Sequence, residues 1–530
     1  MSDAAPSSLA PLKGPVFRML WLAWLAANVT MWMNDVAAAW LMTTLTDSAV
    51  MVALVQAAST LPVFVLGLPS GALADIVDRR RYFAVTQLWV ASVAVVLCGA
   101  SLAGALSAPM LLALTFVNGI GLAMRWPVFA AIVPEVVPRH ELPAALALNG
   151  VAMNMSRVIG PVLAGALLAG AGSAAVFALN AALAVLAFVL ILRWKSQRKV
   201  SALPGERFLG AMRVGLQHVT QSPRMRVVLI RIFLFFLQST SLTALLPLVA
   251  RRLHGGGAGT FTLLLASMGA GAIAAALYLP RLRQNIGRDV FVRWGTVVHA
   301  LAAVAVVFAP SIWLAVPAMA VAGMAWISTA NSLTLAAQMV LPNWVRARGM
   351  SIYQMALMGG SAAGAALWGQ VATWSSVPAS IVAAALAGPL VLLATRHLTV
   401  DGGEDEDLSP ARPGGRQPPM PLVEPQADEG PVMVTVEYLI DPTRADAFIA
   451  VMEETRRARL RQGALSWGLF RDPALPGRYF EYFLDETWVE HLRRQERFTA
   501  ADVGLREKRL AFHLGSEPPR VQRFIGESIV

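Results

Sequence analysis

The sequence predicts an all-α membrane protein of twelve transmembrane helices in two six-helix halves, followed by a small soluble α+β domain. Three observations predict this. Of the 530 residues, 56% are hydrophobic and only 14% charged, with a mean hydropathy of +0.59, where a soluble chain of this length needs more charge to cover its surface. Apolar stretches of about twenty residues recur up to residue 400 and put basic residues mainly into alternate loops. Beyond that point the composition turns acidic and proline-rich, and then alternates as a soluble domain does.

The net charge of +11 does not point to nucleic acid, because the basic residues sit in short loops between apolar stretches. They read as topology signals, and no nucleic-acid partner is expected. The single cysteine, Cys98, rules out a disulfide framework within one chain. A polar segment, residues 2–15, precedes a first apolar stretch too long for a signal-peptide core, so no cleaved leader is expected.

A cytoplasmic tail, 1–16, leads into the first half, 17–194, with spans at 17–42, 48–74, 82–104, 108–133, 142–170 and 172–194. A cytoplasmic connector, 195–223, joins it to the second half, 224–396, with spans at 224–250, 258–280, 289–309, 311–338, 348–372 and 376–396. Each is long enough to cross ~30 Å of hydrocarbon, and in lipid a helix pairs its own backbone groups. Basic loops at Arg79–Arg81, Arg139, 193–213, Arg281–Arg288 and Arg346–Arg348 alternate with loops free of Lys and Arg. Arg251 and Arg252 are the exception. This alternation predicts both termini cytoplasmic, in what is expected to be a bacterial inner membrane. The connector carries Val214, Leu216 and Val219 among polar residues, the pattern of an amphipathic helix on the membrane surface. Shifted by about 204 residues, the chain matches itself: Gly119 falls on Gly323, Pro138 on Pro342, Gly160 on Gly364 and Gly165 on Gly369. Parallel six-helix repeats produce such a register.

Residues 397–430 read as a disordered acidic and Pro-rich linker, and 431–530 as a soluble domain. Val432, Val434, Val436 and Tyr438 alternate with polar residues in a strand; 443–462 is a helix with Phe448, Val451 and Met452 inward. A hairpin at 464–470 and 478–484, a helical region at 487–512 and a strand at 520–525 complete the order β-α-β-β-α-β, that of a ferredoxin-like fold.

The segment from Gly71 through Asp75 and Asp78 to Arg79, Arg80 and Arg81 follows the second span. Gly71 permits close helix approach, Asp75 lies at a helix end, and the arginines suit a phosphate surface. This segment resembles the signature loop of the major facilitator superfamily. The resemblance implies a gating role for Gly71, Asp75, Asp78, Arg79 and Arg80 rather than substrate binding. In the fifth span, Asn154–Gly165 holds Gly160, Pro161 and Gly165. Proline removes a helix hydrogen bond and permits a bend, while glycine permits tight packing. The segment is similar to the glycine-proline motif of the exporter branch, and Pro134–Gly165 resembles the subgroup containing the enterobactin exporter. The resemblance covers residues 15–396 and implies the major facilitator fold.

Ionisable groups inside a bilayer are costly, so each needs a reason. Asp35 lies in the first span beside Asn28 and Asn34, Arg125 in the fourth and Arg157 in the fifth. Asp35 is a candidate proton carrier, or an ion-pair partner of Arg157 or Arg125; the alternative is an acid near the membrane face. Arg231 and Arg18 lie near helix ends and are expected to snorkel. The polar residues Asn28, Asn118, Asn154, Gln238, Asn331 and Gln354 are the candidate cavity lining, with aromatic and sulfur neighbours that include Trp32, Trp126, Trp326 and Phe236.

In the tail, the run from Glu481 through Asp485 and Trp488 to His491 resembles the antibiotic-biosynthesis-monooxygenase-like family, some of whose members cleave haem or oxidise quinols. A structural role for His491 and Trp488 is the commoner outcome, and a regulatory or dimerising module is expected. No metal cluster, nucleotide loop or nucleophile triad is apparent, so no cofactor, metal or catalytic residue is assigned. The expected function is proton-coupled export of a small molecule, such as a siderophore, drug or other metabolite, by alternating access in the lipid bilayer. The rivals are a membrane-anchored enzyme or sensor acting on haem or a quinol, and an importer on the same fold.

Overall fold

Thirteen α-helices precede residue 400 among the described residues: α1 Pro15–Leu45, α2 Ala49–Ile76, α3 Arg79–Leu102, α4 Ala108–Val136, α5 Leu142–Gly170, α6 Gly172–Arg193, α7 Phe208–Thr220, α8 Pro223–Arg252, α9 Ala258–Leu282, α10 Arg288–Val307, α11 Ile312–Val340, α12 Arg346–Trp374 and α13 Val377–Ala394. The computed structural model describes residues 9–138, 141–194, 208–253, 256–282, 286–401, 406–411 and 425–527. Arg139, Arg283 and the side chains of Asp75, Trp126, Glu135 and Arg281 lie outside the described residues. So do residues 195–207 of the expected connector and residues 402–405 and 412–424 of the expected linker.

Among the described residues, eleven helices are long and apolar enough to cross a membrane. The remaining long helix, α12, has 29 residues, but Gln354, Gly359, Gly360, Ser361, Gly364 and Gly369 dilute its apolarity. Local signals set the ends. Asp78 caps α3 by accepting from the Arg81 backbone N–H at 3.0 Å, Ser107 and Ser376 cap α4 and α13, and proline opens α1, α4, α5 and α13.

The chain divides into two compact units. The first comprises Met1–Lys199, Val227–Ala336 and Ser351–Asp401. Its internal repeat is physical. Gly119 of α4 faces Pro62 and Ser59 of α2, and its match Gly323 of α11 faces Met268 of α9. Gly160 of α5 presses on Trp32 and Val29 of α1; Gly364 of α12 presses on Leu237 of α8. Gly165 meets Thr262 of α9, and Gly369 meets Ala53 and Val50 of α2. Within each pair, the same helix contact recurs in the other half or across the seam, and a Cβ at any of these glycines would collide.

The largest apolar core joins the halves at the α1–α2 loop end, with Met33, Met42, Val52 and Leu97 beside Leu245, Val249, Phe261 and Met319. At the opposite end, Phe17, Trp24, Phe83, Phe129 and Ile191 form a separate core within the first half. Arg231 does more than snorkel: its guanidinium donates to the carbonyls of Thr395 at 2.8 Å and Leu398 at 2.7 Å, closing the end of α13. Beyond it, Asp289 accepts from the backbone of Val400 at 2.9 Å, tying the start of the expected linker to α10.

The second unit comprises Val200–Arg226, Ala337–Met350 and Gly402–Val530. It contains β1 Val432–Leu439, α14 Ala445–Arg461, β2 Ser466–Arg471, β3 Arg478–Asp485, α15 Trp488–Glu496, α16 Ala500–Leu510 and β4 Arg520–Ile525. The strands form one antiparallel sheet in the order β2-β3-β1-β4. Val436 pairs with Glu481 on one side and Val521 on the other. The helical region expected over 487–512 breaks at Thr499, whose capping box with Asp502 starts α16. Phe448 and Met452 are buried and Val451 is half-buried. Residues 406–411 are held rather than free: Pro410 bridges Thr499, and Ala501 donates to the Asp407 carbonyl at 3.0 Å.

The amphipathic connector helix differs from expectation. Its apolar residues Ala211, Val214 and Val219 are buried while Leu216 is exposed, and the buried side has protein partners. Arg213 pairs with Glu486 at 2.6 Å, Gln217 donates to the Ala464 carbonyl at 3.3 Å, and Val214 lies against Gly463. The buried part of the amphipathic pattern reflects packing on the C-terminal sheet domain, which has the same periodicity as binding to lipid.

Candidate transport site

The tight contact at Gly160 brings α5 against α1, and one turn earlier α5 carries Arg157. Its guanidinium lies 5.4 Å from the ring centre of Trp32 on α1 and 5.0 Å from that of Trp326 on α11. The two tryptophans belong to opposite halves, so the cation bridges the seam. Phe236 of α8 packs on Trp326 at 5.4 Å. Among the described residues, Arg157 Nε and Nη1, Trp32 Nε1, Asn34 Nδ2 and Asp35 Oδ1 are buried without a hydrogen-bond partner. Unpaired polar atoms buried in a core cost ~1–3 kcal/mol each, so a group of them on neighbouring helices marks a place built for something else.

Arg125 has a different environment. It is 1% exposed, donates to the Ala27 carbonyl at 2.6 Å and to Asn28 Oδ1 at 3.4 Å, and stacks 5.3 Å from the Trp24 ring. Asn28 in turn donates to the Trp24 carbonyl at 2.7 Å. Asp35 is hydrogen-bonded by Ser59 and feels the charge of Arg125. Of the two arginines named as partners for Asp35, Arg125 is therefore the one whose charge reaches it.

The remaining expected lining is scattered. Asn118 is buried in α4; Asn154, Asn331 and Gln354 are half-buried on α5, α11 and α12. Gln238 belongs to another place, within the second half: it lies against Gly388 of α13 and shares a cavity of about 10 Å³ with Ser241, Thr296 and His299. Pro161 lies inside α5, directly after the close contact that Gly160 makes with α1.

Near the C-terminal end of α2, Gly71 lies beside Ser351 of α12. Arg80 donates to the Leu192 carbonyl of α6, and Asp78 serves as a cap. Sequence reasoning missed Ser59 and Trp24. It marked Arg251 only as a break in the charge alternation; Arg251 donates to the Thr43 carbonyl at 2.6 Å, joining α8 to α1.

The C-terminal sheet domain holds a buried polar network. Glu481 accepts from Arg459 at 3.0 Å, Trp467 at 3.1 Å and Tyr438 at 3.0 Å. Burial works to raise its carboxyl, but the charges of Arg459 and Arg509 and these hydrogen bonds outweigh it, holding the group down at about 2. Burial pushes the Tyr438 hydroxyl up, with the Glu481 charge adding to it. Asp485 contacts His491 Nδ1 at 2.7 Å and Arg494 at 3.0 Å, and Arg523 donates to His491 Nε2 at 3.1 Å. Burial holds His491 below its ordinary range. Both ring nitrogens are committed to protein partners, with the Nδ1 proton directed at Asp485. Among the described residues, no group of three or more His, Cys, Asp or Glu side chains is placed to hold a metal ion.

Known proteins agree with this architecture. The sequence model of the transmembrane secretion effector family matches residues 6–529. The staphyloferrin A transporter of Staphylococcus aureus is 25% identical over 259 residues, covering 48% of this chain and 64% of that protein. The macrolide efflux protein A of Streptococcus pyogenes is 23% identical over 237 residues, covering 44% and 58%. The chain thus spans less than two thirds of the length of these curated relatives. A bacterial homolog of the human lysosomal transporter Spinster, solved inward-facing and unoccupied, superposes with a TM-score of 0.57 at 16% identity over 73% of this chain and 98% of its own. The nucleoside transporter NupG gives 0.57 at 13% identity over 72% and 99%. At these identities the structures speak for the fold alone, while the family match spans nearly the whole chain. The chain belongs to the transmembrane secretion effector family of major facilitator transporters.

Proposed function

We propose that this protein is a proton-coupled secondary exporter of a small molecule, working by alternating access between its two helical halves. The observation that carries the proposal is the set of unpaired polar atoms on Trp32, Asn34, Asp35 and Arg157, at a seam where α1 and α5 meet α11. The shared core at the α1–α2 loop end and the separate core at the other suit a state closed at one end. Rocking the halves would break the first and close the second. Export is favoured over import by the efflux protein among the relatives. Asp35 is the proposed proton carrier: it feels the charge of Arg125 and keeps one carboxylate oxygen unpaired. Gly71, Asp78, Arg79 and Arg80 are the proposed gating elements, with Asp75.

The proposal includes α12 as a twelfth span. Its glycines face α8 and α2 closely, so its low apolarity follows from packing, and an even number of spans would leave both termini on the cytoplasmic side. The soluble domain, whose strand order β2-β3-β1-β4 suits a ferredoxin-like module, is proposed as a regulatory or dimerising element. The commitment of both His491 nitrogens argues against haem or quinol chemistry there.

The test is transport in inside-out vesicles with an imposed pH gradient, following a panel of siderophores and macrolides. Gradient-driven uptake into such vesicles is expected, with Asp35→Asn lowering it at least about tenfold. Full gradient-driven transport by Asp35→Asn would remove the proton role. Transport in the opposite sense would select the importer.

A further inference from the structure

We infer that Arg157, held between Trp32 and Trp326, is an oxyanion-binding site, and that the cargo carries a carboxylate or phosphate group next to an apolar or aromatic body. This inference rests on the export reading only in taking the seam between the halves as the cargo's place.

The arginines of the first unit show what is unusual. Arg231 has its guanidinium satisfied by Thr395 and Leu398. Arg125 leaves its Nε unpaired but has a carbonyl, an amide and the Asp35 charge. Arg157 has two aromatic faces, and its Nε and Nη1 lack any hydrogen-bond partner among the described residues. Indole faces recover part of the cost of taking a guanidinium out of water, but not the hydrogen bonds it leaves behind. The N–H donors of a guanidinium point outward in its own plane, so a ligand that pairs with them approaches there, beside the two indole rings. Trp32 Nε1, on the flanking ring, is a further unpaired donor. Several unpaired donors around one positive charge ask for an acceptor of negative charge, and guanidinium geometry favours carboxylate or phosphate. Phe236, packed on Trp326, supplies apolar surface beside it.

The arrangement also links binding to movement. Trp32 lies on α1 and Trp326 on α11, in opposite halves. An anion that fixes the guanidinium fixes the point where both halves meet.

The full-length chain, purified in a neutral detergent, is titrated with 2-naphthoate, naphthyl phosphate, citrate, 2-naphthamide and phosphatidylglycerol, while thermal unfolding and tryptophan emission are followed. Saturable stabilisation and an emission change with at least one soluble anion are expected, with no response to the neutral amide. Arg157→Lys should keep a weakened response. Arg157→Gln should weaken apparent affinity at least about tenfold, a loss of ~1.4 kcal/mol by the usual conversion. Should that variant not fold, Trp326→Phe serves instead: the anion still protects but the emission change shrinks. No response from wild type to any soluble anion, equal protection by the amide, an unchanged Arg157→Gln response, or a response to the lipid alone would each overturn the inference. Vesicles lacking gradient-driven transport while the anion still binds would remove the export reading and leave this site standing.

Discussion

His218 shows how one side chain can carry a pH dependence. It is 5% exposed on α7, with Nδ1 at 3.3 Å from the Arg461 carbonyl and its ring edge-on to Trp344 at 5.4 Å. Burial, with the nearby Arg461 charge, lowers its pKa from 6.5 to about 4. The folded contact therefore holds neutral histidine, while the detached helix takes up a proton below pH ~6.5. Stability is full above the ordinary histidine range and falls as pH drops toward 4; at pH 5 the loss is about 2 kcal/mol. Amide hydrogen exchange over 208–220 is expected to speed up between pH 6.5 and 5, beyond its intrinsic pH dependence, and the rise should vanish in His218→Gln. At this scale the sequence was legible for charge inside the spans: Asp35, Arg125 and Arg157 stand out because ions in lipid need reasons. Their partners were not legible, since Ser59, Trp24 and Trp326 come from other helices, and only packing decides that Asp35 feels Arg125. Gln238 shows the converse, a polar residue on an expected cavity helix that turns to α13 instead.

At the level of elements, glycine placement carries the helix contacts. Gly364 lets α12 touch the backbone of α8 at Leu237. Gly364→Val should cost ~1–3 kcal/mol by overpacking. Gly150→Val is the control, since a Cβ at Gly150 meets nothing within 4 Å. Thermal unfolding in detergent is expected to show a lower transition for Gly364→Val and little change for Gly150→Val. The repeat that pairs Gly160 with Gly364 was visible from the sequence as a register, because close helix contacts leave only glycine as a solution. The surface-lying connector was misread because an amphipathic stripe does not say whether lipid or protein covers it. The linker composition was also incomplete as a guide: proline and acidic residues keep 406–411 out of regular structure, yet backbone hydrogen bonds pin that segment beside α16.

For the whole molecule, the C-terminal sheet domain with α7 and residues 337–350 forms one unit, a grouping that no periodicity reveals. Besides the Arg213–Glu486 pair, Arg497 stacks 5.1 Å from Trp344 and donates to the Gln462 carbonyl at 2.8 Å. A chain ending at residue 424 should still fold its helices, because the first unit has its own core. It would leave Val214 and Val219 uncovered, and exchange over 208–220 is expected to rise at least about tenfold, as measured by mass spectrometry in the same detergent. Unchanged exchange would mean the domain contributes nothing to holding that helix. The division into a lipid-type bundle and a tail domain was readable from composition alone. Which other segments pack with the tail was not, because the contacts are long-range and polar.

Residues 337–350 run from the last turn of α11 into the first of α12, and Trp344 sits in the middle, clasped by Arg497 and His218. The tail and the short segment that joins α11 to α12 thus belong to one packed unit. A bulky tag fused behind β4 is expected to change the exchange of residues 337–350, far along the chain from where it was attached.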